Sequence, residues 1–429
     1  MNRLTGDNRR FLFLQGPHGP FFRQLARMLE RTGAAVWRVG FNRGDQVFWA
    51  GKNYLPYTGT QDAWPAAFDT ILTEKAITDI VLYGDTRFIH AVAIKRARER
   101  GVTVHVFEEG YLRPWWVTYE RGGSNGNSRL MSLSIPQMQK ALETCEVDLI
   151  DAPAHWGDMR HHVVYGFAYH ALVMLANRPY RGFRPHRKLS VRQEFGLYLR
   201  RLLAMPFHAL ERRIATWRIR TGGFPYHLAL LQLEHDSSFQ MHSPFGTMTA
   251  FLEVCIEGFA KGAPRHHHLV FKAHPLEDGR TQIKRDLLRL ADEHGIRERV
   301  HFVRGGKLAG LLNHARSAVT VNSTAAQQAL WRGMPLKVFG DAVYDKAEFV
   351  STQPLAEFFN APTRPDNRAY RDYRRFLLET SQLPGGFYSA AGRRQLMRQV
   401  VDLVLTPDDP YDALMSGKAA PRQQLRLVR

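Results

Sequence analysis

Two stretches decide the fold: HLVFKAHP, residues 268–275, and SAVTVNSTAAQQAL, residues 317–330. Each begins with a short apolar run of β-type residues, and each then changes character, to His-Pro in the first and to Asn-Ser-Thr in the second. Ser and Thr are preferred just before a helix, and the residues after Thr324 have a helical composition. A short buried strand, a loop and a helix form the repeating unit of a parallel sheet.

The same alternation of strands and helices runs through both halves of the chain. Strands are predicted in the first half at 11–15, 36–41, 79–85 and 102–107. In the second half they are predicted at 227–234, 268–273, 299–303, 317–321 and 335–339. We therefore predict an α/β fold of two Rossmann-type doubly wound domains that face each other across a cleft.

The length of the chain, 429 residues, exceeds what one hydrophobic core usually holds. The predicted N-terminal domain covers 1–130, and a basic, mostly helical connection covers 131–222. A second Rossmann-like domain covers 223–350, and C-terminal helices with a basic tail cover 351–429.

Composition limits where the protein works. Cys145 and Cys255 lie far apart and form no metal-binding or disulfide spacing, which fits a reducing compartment. The N-terminus, MNRLTGDNRR, lacks the apolar core of a signal peptide, and no run of ~18 apolar residues predicts a membrane-spanning helix. We expect a cytoplasmic protein.

The formal net charge of +19 indicates anionic partners. Much of it lies in residues 178–220, where aromatic and aliphatic residues alternate with arginines. That mixture suits a helical surface lying on anionic lipid, and the alternative is a solvated helical face. Nucleic acid is not expected, because no nucleic-acid-binding signature accompanies the charge.

Candidate residues of the second half follow its predicted strands, where ligands bind in open parallel sheets. His274 can donate a hydrogen bond to a phosphate or exchange a proton, with Pro275 fixing the turn and Lys272 adding charge. The other candidates are Asn322, Ser323 and Thr324 for phosphate binding and Asp236 as a carboxylate nucleophile or orienting group. For each, the alternative is a structural turn or helix cap.

The first half offers an acidic pair, Glu108-Glu109, followed by Gly110. Carboxylates at a strand end are candidates for a base, a nucleophile or a metal site, and successive residues of a strand point to opposite faces. Only one of the pair is therefore expected to face the cleft. The next residues, 111–128, form a loop rich in aromatic residues, Gly and Asn, in which Arg113 and Asn125 are candidates for sugar contacts.

Other first-half candidates follow the remaining strands. The loop GPHGP after the first strand lets the backbone approach a ligand closely, but lacks dinucleotide and P-loop spacings. Its candidates are Gly16, His18 and Gly19, and the weaker candidates at other strand ends are Asn42, Asp45 and Asp85. The triple His266-His267-His268 has no suitable ligand partner, so we expect no metal site.

The ordered set of motifs resembles the capsule polysaccharide synthesis family of bacterial β-Kdo transferases, where Kdo is 3-deoxy-D-manno-oct-2-ulosonic acid. The motifs, all between about residues 11 and 350, are GPHGPFF, FNRGD, VFEEGYLRP with WWVTYE, SNGNS, QLEHDSSF, KAHP and VNSTAAQQALWRGMPLKVFGDAVYD. Two features depart from the resemblance: Arg43 in FNRGD stands where a smaller residue is expected, and 178–220 is unusually rich in arginine.

This resemblance implies a GT-B-like glycosyltransferase that uses CMP-Kdo and needs no metal or other cofactor. It also implies an anionic phosphatidylglycerol-type lipid acceptor, attachment to the inner face of the cytoplasmic membrane, and other capsule synthesis or export proteins as partners. The motifs are similar as well to those of bacterial CMP-sialic acid transferases. There His-Pro and the hydroxyl pair, here His274 and Ser323-Thr324, hold CMP, and the acidic motif, here Glu108-Glu109-Gly110, acts on the acceptor.

Transfer of β-Kdo from CMP-β-Kdo retains the anomeric configuration, which is simplest by double displacement through a carboxylate. Glu108, Glu109 and Asp236 all remain candidates for that carboxylate. The alternative functions are an inverting transferase of the CMP-sialic acid type and a non-catalytic capsule assembly or export factor.

Overall fold

The computed structural model describes residues 5–113, 115–143, 159–180, 182, 191–277 and 279–419. Cys145, part of the basic segment 178–220 and the end of the basic tail lie outside the described residues. The chain divides into two compact units. Unit 1 comprises Met1–Arg129, Gln137–Val191 and Arg375–Arg429, and unit 2 comprises Leu130–Pro136 and Arg192–Arg374.

The strands are β1 Arg10–Phe13, β2 Ala35–Gly40, β3 Tyr54–Pro56, β4 Asp79–Tyr83, β5 Thr103–Glu109, β6 Trp116–Arg121, β7 Tyr226–Leu230, β8 His268–Lys272, β9 Val300–Val303, β10 Ala315–Thr320, β11 Leu336–Val338 and β12 Gln382–Pro384. The α-helices are α1 Phe21–Glu30, α2 Arg43–Trp49, α3 Trp64–Glu74, α4 Phe88–Glu99, α5 Ile135–Leu142, α6 Met159–Ala176, α7 Val191–Thr221, α8 Ser237–His242, α9 Met248–Gly262, α10 Ile283–Glu293, α11 Ala309–Leu312, α12 Gln327–Leu330, α13 Leu355–Asn360, α14 Asn367–Glu379, α15 Ala390–Leu405 and α16 Pro410–Met415.

Within the described residues, unit 1 contains a seven-stranded sheet of order β12-β6-β5-β4-β1-β2-β3. Its strands alternate residues between two cores, because successive side chains of a strand point to opposite faces. Phe11 and Phe13 of β1 enter the core formed with α1 and α15, whereas Leu12 enters the core formed with α3 and α4. A sheet covered on both faces explains why its strands are apolar throughout.

Unit 2 contains a parallel sheet of order β11-β10-β7-β8-β9 within the described residues. Leu269 and Phe271 of β8 pack in one core with apolar residues of α9, α10 and α13. The predicted fold class is thus confirmed: the chain contains two Rossmann-like α/β units, and all nine predicted strands are present.

Three strands were missed. The aromatic run after Glu109 was predicted to be a loop, but Trp116–Arg121 forms β6, which pairs antiparallel with β5. Helices alone were predicted for the C-terminal part, yet β12 separates α14 from α15 and pairs antiparallel with β6. The third, β3, pairs with β2. β3 and β12 have three residues each, too few for a hydrophobic alternation to be recognised.

The basic connection predicted at 131–222 is divided between the units, with α6 in unit 1 and α7 almost entirely in unit 2. Helices α15 and α16 pack in unit 1. Among the described helices, none combines the length and the apolar character that crossing a bilayer requires.

Candidate functional site

The carboxylate of Glu109 lies among aromatic side chains at the end of β5, in unit 1. The Tyr83 hydroxyl donates to Glu109 Oε1 at 3.1 Å, and Tyr388 is a second hydrogen-bonding partner. The ring of His162, from α6, stacks on Tyr388 with centroids 4.2 Å apart. Burial, and then the charge of Glu109, raise the pKa of both tyrosines well above their usual value. The two hydrogen-bond donors to Glu109 are therefore neutral phenols, and a glutamate at this strand end is a candidate for accepting a proton or attacking a carbon.

Glu108 and Glu109 are consecutive residues of β5 and therefore point to opposite faces of the sheet. A Cβ atom at Gly84 would lie 3.0 Å from Glu108 Oε2, so Gly84 leaves room for that carboxylate. At Gly110 a Cβ atom would lie 2.3 Å from the Trp116 carbonyl oxygen. Gly110 is thus required where the chain turns back into β6. Arg113 donates from Nε to the Gly110 carbonyl at 3.3 Å and supports the same turn.

The FNRGD motif forms the start of α2. Asn42 is its N-cap, and its side chain accepts from Asp45 N at 2.9 Å. Asp45 is 1% exposed, pairs with Arg38 at 3.2 Å, and accepts a hydrogen bond from Tyr169 of α6. Tyr169 also bonds Asn42. Both predicted residues are therefore engaged in a buried network that joins α2 to α6.

The GPHGP loop packs against aromatic side chains. A Cβ atom at Gly16 would lie 2.5 Å from Phe22, and one at Gly19 would lie 2.9 Å from Tyr165. His18 lies over Tyr169, with ring centroids 4.3 Å apart. Both glycines therefore lie against aromatic side chains of unit 1, and the approach of a ligand to this loop stays a prediction.

Asp85 and Asn125 shape the SNGNS segment. Asp85 is 3% exposed, and its Oδ2 accepts from Ser124 N at 2.8 Å and from Asn127 Nδ2 at 3.1 Å. Asn125 has φ of 52° and donates its backbone N–H to the Tyr111 hydroxyl at 2.7 Å. In the described structure both residues hold this turn in place.

In unit 2, the candidate residues collect at one edge of the sheet. All five strands are parallel, and β7 lies between β8 and β10. His274-Pro275 follows β8 and Ser323-Thr324 follows β10. With neighbouring strands about 4.8 Å apart, the two loops begin roughly 10 Å from each other.

The half-buried His274 ring has a defined tautomer. Its Nδ1 accepts a hydrogen bond from Leu276 N at 3.1 Å. A neutral ring that accepts at Nδ1 carries its proton on Nε2, so Nε2–H is a donor. The adjacent Pro275 is exposed. This geometry suits the donation of a hydrogen bond to an anion at the sheet edge.

Lys272, the last residue of β8, is 5% exposed and donates from Nζ to the Ala273 carbonyl at 3.3 Å. It has no carboxylate partner among the described residues. Burial, and then the nearby Arg212, lower the pKa of Lys272 to about 8. A buried ammonium without a counterion is costly, and an anionic ligand would stabilise it.

Asn322, Ser323 and Thr324, which follow β10, have different surroundings. The Asn322 side chain is 5% exposed, accepts a hydrogen bond from Gln232 Nε2, and donates from Nδ2 to the carbonyls of Ser238 and His242. Ser323 and Thr324 are half-buried. Ser323 Oγ accepts from Ala325 N at 3.3 Å, capping a short 3₁₀ turn that begins at Thr324 and continues into α12. Asn322 thus positions the loop that presents the hydroxyl pair.

Asp236 is exposed and is the N-cap of α8, where its side chain accepts from Ser238 N at 3.4 Å.

The motif VFGDAVYD supports the loop after β10, because the Tyr344 hydroxyl donates to the Ser323 carbonyl at 2.6 Å. At Gly340 a Cβ atom would lie 2.4 Å from the His242 carbonyl oxygen, so only Gly fits there.

Sequence reasoning missed a basic pocket beside this edge. An open pocket of 780 Å³ lies between α7 and the loop after β9. Its lining includes Arg212, Arg213, Trp217, Arg220 and Lys307. The Gly305-Gly306 pair after β9 could have drawn attention to this loop, but which arginines of α7 turn toward it depends on tertiary packing.

Two members of the histidine triple, His267 and His268, make contacts within unit 2, whereas His266 is exposed. His267 Nδ1 lies 3.0 Å from His227 Nε2, and His268 Nδ1 lies 2.8 Å from His301 Nε2. Burial lowers the pKa of His227 to about 3 and that of His301 to about 4, so these rings are neutral near pH 7. Within the described part of the chain, no three His, Cys, Asp or Glu side chains converge as metal ligands. Metal-independence remains a prediction.

Two Rossmann-like units in one chain, each with polar residues at the ends of its strands, are the architecture of GT-B-like proteins. The chain belongs to the capsule polysaccharide biosynthesis family, whose family model matches residues 78–388. It is 30% identical over 388 residues to the capsule polysaccharide export protein KpsS of Escherichia coli, covering 89% of this chain and 97% of that protein. It is also 30% identical over 401 residues to the capsule polysaccharide modification protein LipB of Neisseria meningitidis serogroup B, covering 91% and 94%.

Among solved structures, the chain is similar to the β-Kdo 2,7 transferase KpsC of Thermosulfurimonas dismutans. That match has a TM-score of 0.45 and 12% identity, and it covers 91% of this chain and 99% of that chain. The family indicated by the sequence motifs, of the KpsS and LipB type, is confirmed.

Proposed function

We propose that this protein transfers β-Kdo from CMP-Kdo to a phosphatidylglycerol-type lipid, with retention, as the first residue of a poly-Kdo linker in capsule biosynthesis. One observation carries the proposal: His274-Pro275 and Ser323-Thr324 follow the strands on either side of β7, at the same edge of a parallel sheet. That edge is where sheets of this kind bind nucleotides.

The donor chemistry is assigned to unit 2. His274 Nε2–H would donate to the phosphate of CMP, and the Ser323 and Thr324 hydroxyl groups would bind the nucleotide beside it. Lys272 would supply the positive charge. CMP leaves as an anion. Hydrogen-bond donors that are already in position stabilise the negative charge that develops on its phosphate as the bond breaks. No metal is needed for this step, and the expected donor complex contains none.

The carboxylate chemistry is assigned to Glu109 of unit 1. In the first step its oxygen attacks C2 of Kdo, the bond from C2 to the phosphate oxygen breaks, and CMP departs with the electron pair. In the second step the lipid hydroxyl attacks C2, its proton passes to a base, and the bond to Glu109 breaks. Two inversions give net retention. Glu109 is favoured over Asp236 because Asp236 caps α8.

A lipid acceptor would place the reaction at the inner face of the cytoplasmic membrane, where the net charge of +19 would favour binding to anionic lipid. Other capsule synthesis and export proteins are the further partners expected there.

The test is transfer from CMP-Kdo to a fluorescent phosphatidylglycerol-type acceptor, with and without EDTA. We expect the wild-type protein to be active in EDTA and His274→Ala to lose at least about 100-fold in rate. His294→Ala is the matched control, because His294 is an exposed residue that follows α10 in the same unit.

NMR of the product's anomeric centre separates retention from inversion, and an inverted product would replace the proposed mechanism by a single displacement. Absence of both transfer and CMP binding would favour the non-catalytic capsule assembly factor.

A further inference from the structure

Helix α7 exposes a line of large apolar side chains. Leu203, Phe207, Leu210, Ile214 and Trp217 are 68%, 74%, 58%, 42% and 64% exposed, respectively. Their spacing of four and three residues places them on one side of the helix, over a length of about 20 Å. We call these five residues the α7 stripe. Exposed apolar side chains that are contiguous in this way mark an interaction surface.

Residues of α7 outside the stripe contact the rest of unit 2. Glu211 pairs with Lys284 at 2.5 Å and with Arg304 at 3.2 Å. A Cβ atom at Gly306 would lie 2.5 Å from Arg212 Cδ, so the loop after β9 packs closely on this arginine. Because these contacts fix the rotation of the helix, the outward direction of the stripe is a feature of the fold.

Positive charge borders the stripe on both sides. On a helical projection Arg213 and Arg220 lie to one side and Arg218 to the other, and all three are exposed. Glu211 is the acidic residue among the described side chains of α7, and it is already paired. A second copy of the helix would bring arginine against arginine, whereas an anionic surface complements this arrangement.

The basic pocket begins where the stripe ends. Trp217 belongs to both, since it closes the stripe and lines the pocket. Arg213, Arg220 and Lys307 line the pocket and have no ion pair among the described residues. A ligand with an anionic group in the pocket and an apolar part along the stripe would use both features together.

We propose that α7 binds an anionic phospholipid at a bilayer surface, with the headgroup phosphate in the basic pocket and the acyl region against the α7 stripe. This inference rests on the proposed function in one respect: a lipid acceptor would bring the protein to a membrane. It assigns lipid binding to α7 and the basic pocket, whereas the donor site in unit 2 says nothing about where a lipid binds.

The test is binding of the full chain to vesicles of phosphatidylcholine alone and of phosphatidylcholine mixed with phosphatidylglycerol. One variant, Phe207→Ser with Trp217→Ser, shortens the stripe, and a second, Arg213→Gln with Arg220→Gln, removes pocket charge. Trp331→Ser and the pair Arg285→Gln with Arg289→Gln are matched controls, because they remove an exposed tryptophan and two exposed arginines elsewhere in unit 2.

We expect the stripe variant to bind mixed vesicles roughly tenfold more weakly than wild type. The pocket variant should lose roughly tenfold in affinity for mixed vesicles and little in affinity for phosphatidylcholine vesicles. The difference between the pocket variant and wild type on mixed vesicles should shrink in high salt. The controls should bind as wild type does. Thermal unfolding checks that the variants fold, which exposed substitutions should permit.

Equal vesicle binding by all variants would overturn the proposal. So would a stripe variant that changes only the oligomeric state, since the partner would then be protein. Inorganic phosphate and glycerol 3-phosphate test whether the ligand of the pocket is a soluble phosphate compound and not a lipid headgroup. If they stabilise the wild type through Arg213 and Arg220 while vesicles do not bind, the lipid assignment is wrong. CMP binding is measured on the same proteins. If the variants bind vesicles as wild type does while CMP binding is retained, this inference alone is contradicted and the donor site is unaffected.

Discussion

The side-chain amides of Gln232 and Asn322 are paired at the ends of β7 and β10. Gln232 Nε2 donates to Asn322 Oδ1 at 2.7 Å, and the Asn322 backbone N–H donates to Gln232 Oε1 at 3.0 Å. Both residues are buried. Asn322 Nδ2 also donates to the carbonyls of Ser238 and His242 at 3.1 Å. This pair holds the loop that carries Ser323 and Thr324 beside the end of β7.

Asn322→Ala should therefore destabilise unit 2. The substitution leaves the Gln232 amide and two carbonyls buried without partners, a cost of about 1–3 kcal/mol. Urea unfolding measures the change, and Asn360→Ala, at an exposed position in the same unit, should stay within about 0.5 kcal/mol of wild type. A loss of CMP binding at temperatures where the variant is still folded would show that the pair also positions the donor site. A free energy of unfolding equal to that of wild type would show that the pair is dispensable.

Glu109→Gln should reduce transfer of Kdo by at least about 100-fold, because an amide can neither attack C2 nor accept a proton. Asp236→Asn should retain activity, since asparagine caps a helix about as well as aspartate. The rates are compared at saturating acceptor, with circular dichroism as the check on folding. Loss of activity in Asp236→Asn with Glu109→Gln unaffected would reverse the assignment of the two carboxylates.

The sequence predicted the parts of this fold that have a local signal. The apolar strands, such as 268–272, are recognisable because they are covered on both faces and end in turn residues. β6 was missed because its residues, from Trp116 to Arg121, were interpreted as a sugar-binding loop. Its antiparallel pairing with β12 joins residues more than 250 positions apart, which no local pattern reveals.

The site was predictable to a similar degree. That His274 and Ser323 follow strands of one parallel sheet could be inferred from alternation, and the topology places those strands on either side of β7. The hydrogen-bond partners of the polar side chains could not be inferred in this way. Asn42 and Asp45, for example, both form hydrogen bonds with Tyr169, which lies 127 and 124 positions away in the chain, respectively. The basic pocket depends on the rotation of α7, which packing sets.

Glu120 should make stability depend on pH. This glutamate is 1% exposed and accepts a hydrogen bond from the Ser128 hydroxyl. Burial raises the pKa of Glu120 from 4.5 to about 8, opposed in part by Ser128 and Tyr111. Between those pH values the folded chain keeps a proton that the unfolded chain releases, so stability falls as pH rises from 4.5 to about 8.

Glu120→Gln should remove this dependence, because glutamine is uncharged and of similar size. The free energy of unfolding is measured in urea near the two ends of the pH window. As pH rises, that free energy should fall by a few kcal/mol more for wild type than for the variant. Glu74→Gln, at an exposed position of unit 1, should follow wild type. Parallel curves for wild type and Glu120→Gln would contradict a protonated Glu120.

Lys272 should give CMP binding a pH dependence of its own. Its pKa of about 8 means that the ammonium is lost as pH rises through that value, and attraction for phosphate is lost with it. We expect CMP affinity to fall above pH 8 in wild type, and Lys272→Met to bind roughly tenfold more weakly at neutral pH without that fall. Lys261→Met, at an exposed position of α9, is the control. A wild-type affinity that is flat through this range would remove Lys272 from the site.

Calorimetric titration of CMP into the wild-type chain, into His274→Ala and into His294→Ala tests the central claim most directly. We predict that wild type and His294→Ala bind CMP alike in the presence of EDTA, and that His274→Ala binds at least about tenfold more weakly. Absence of CMP binding by the wild type, or equal binding by His274→Ala, would contradict a CMP-sugar site at the edge formed by β8, β7 and β10.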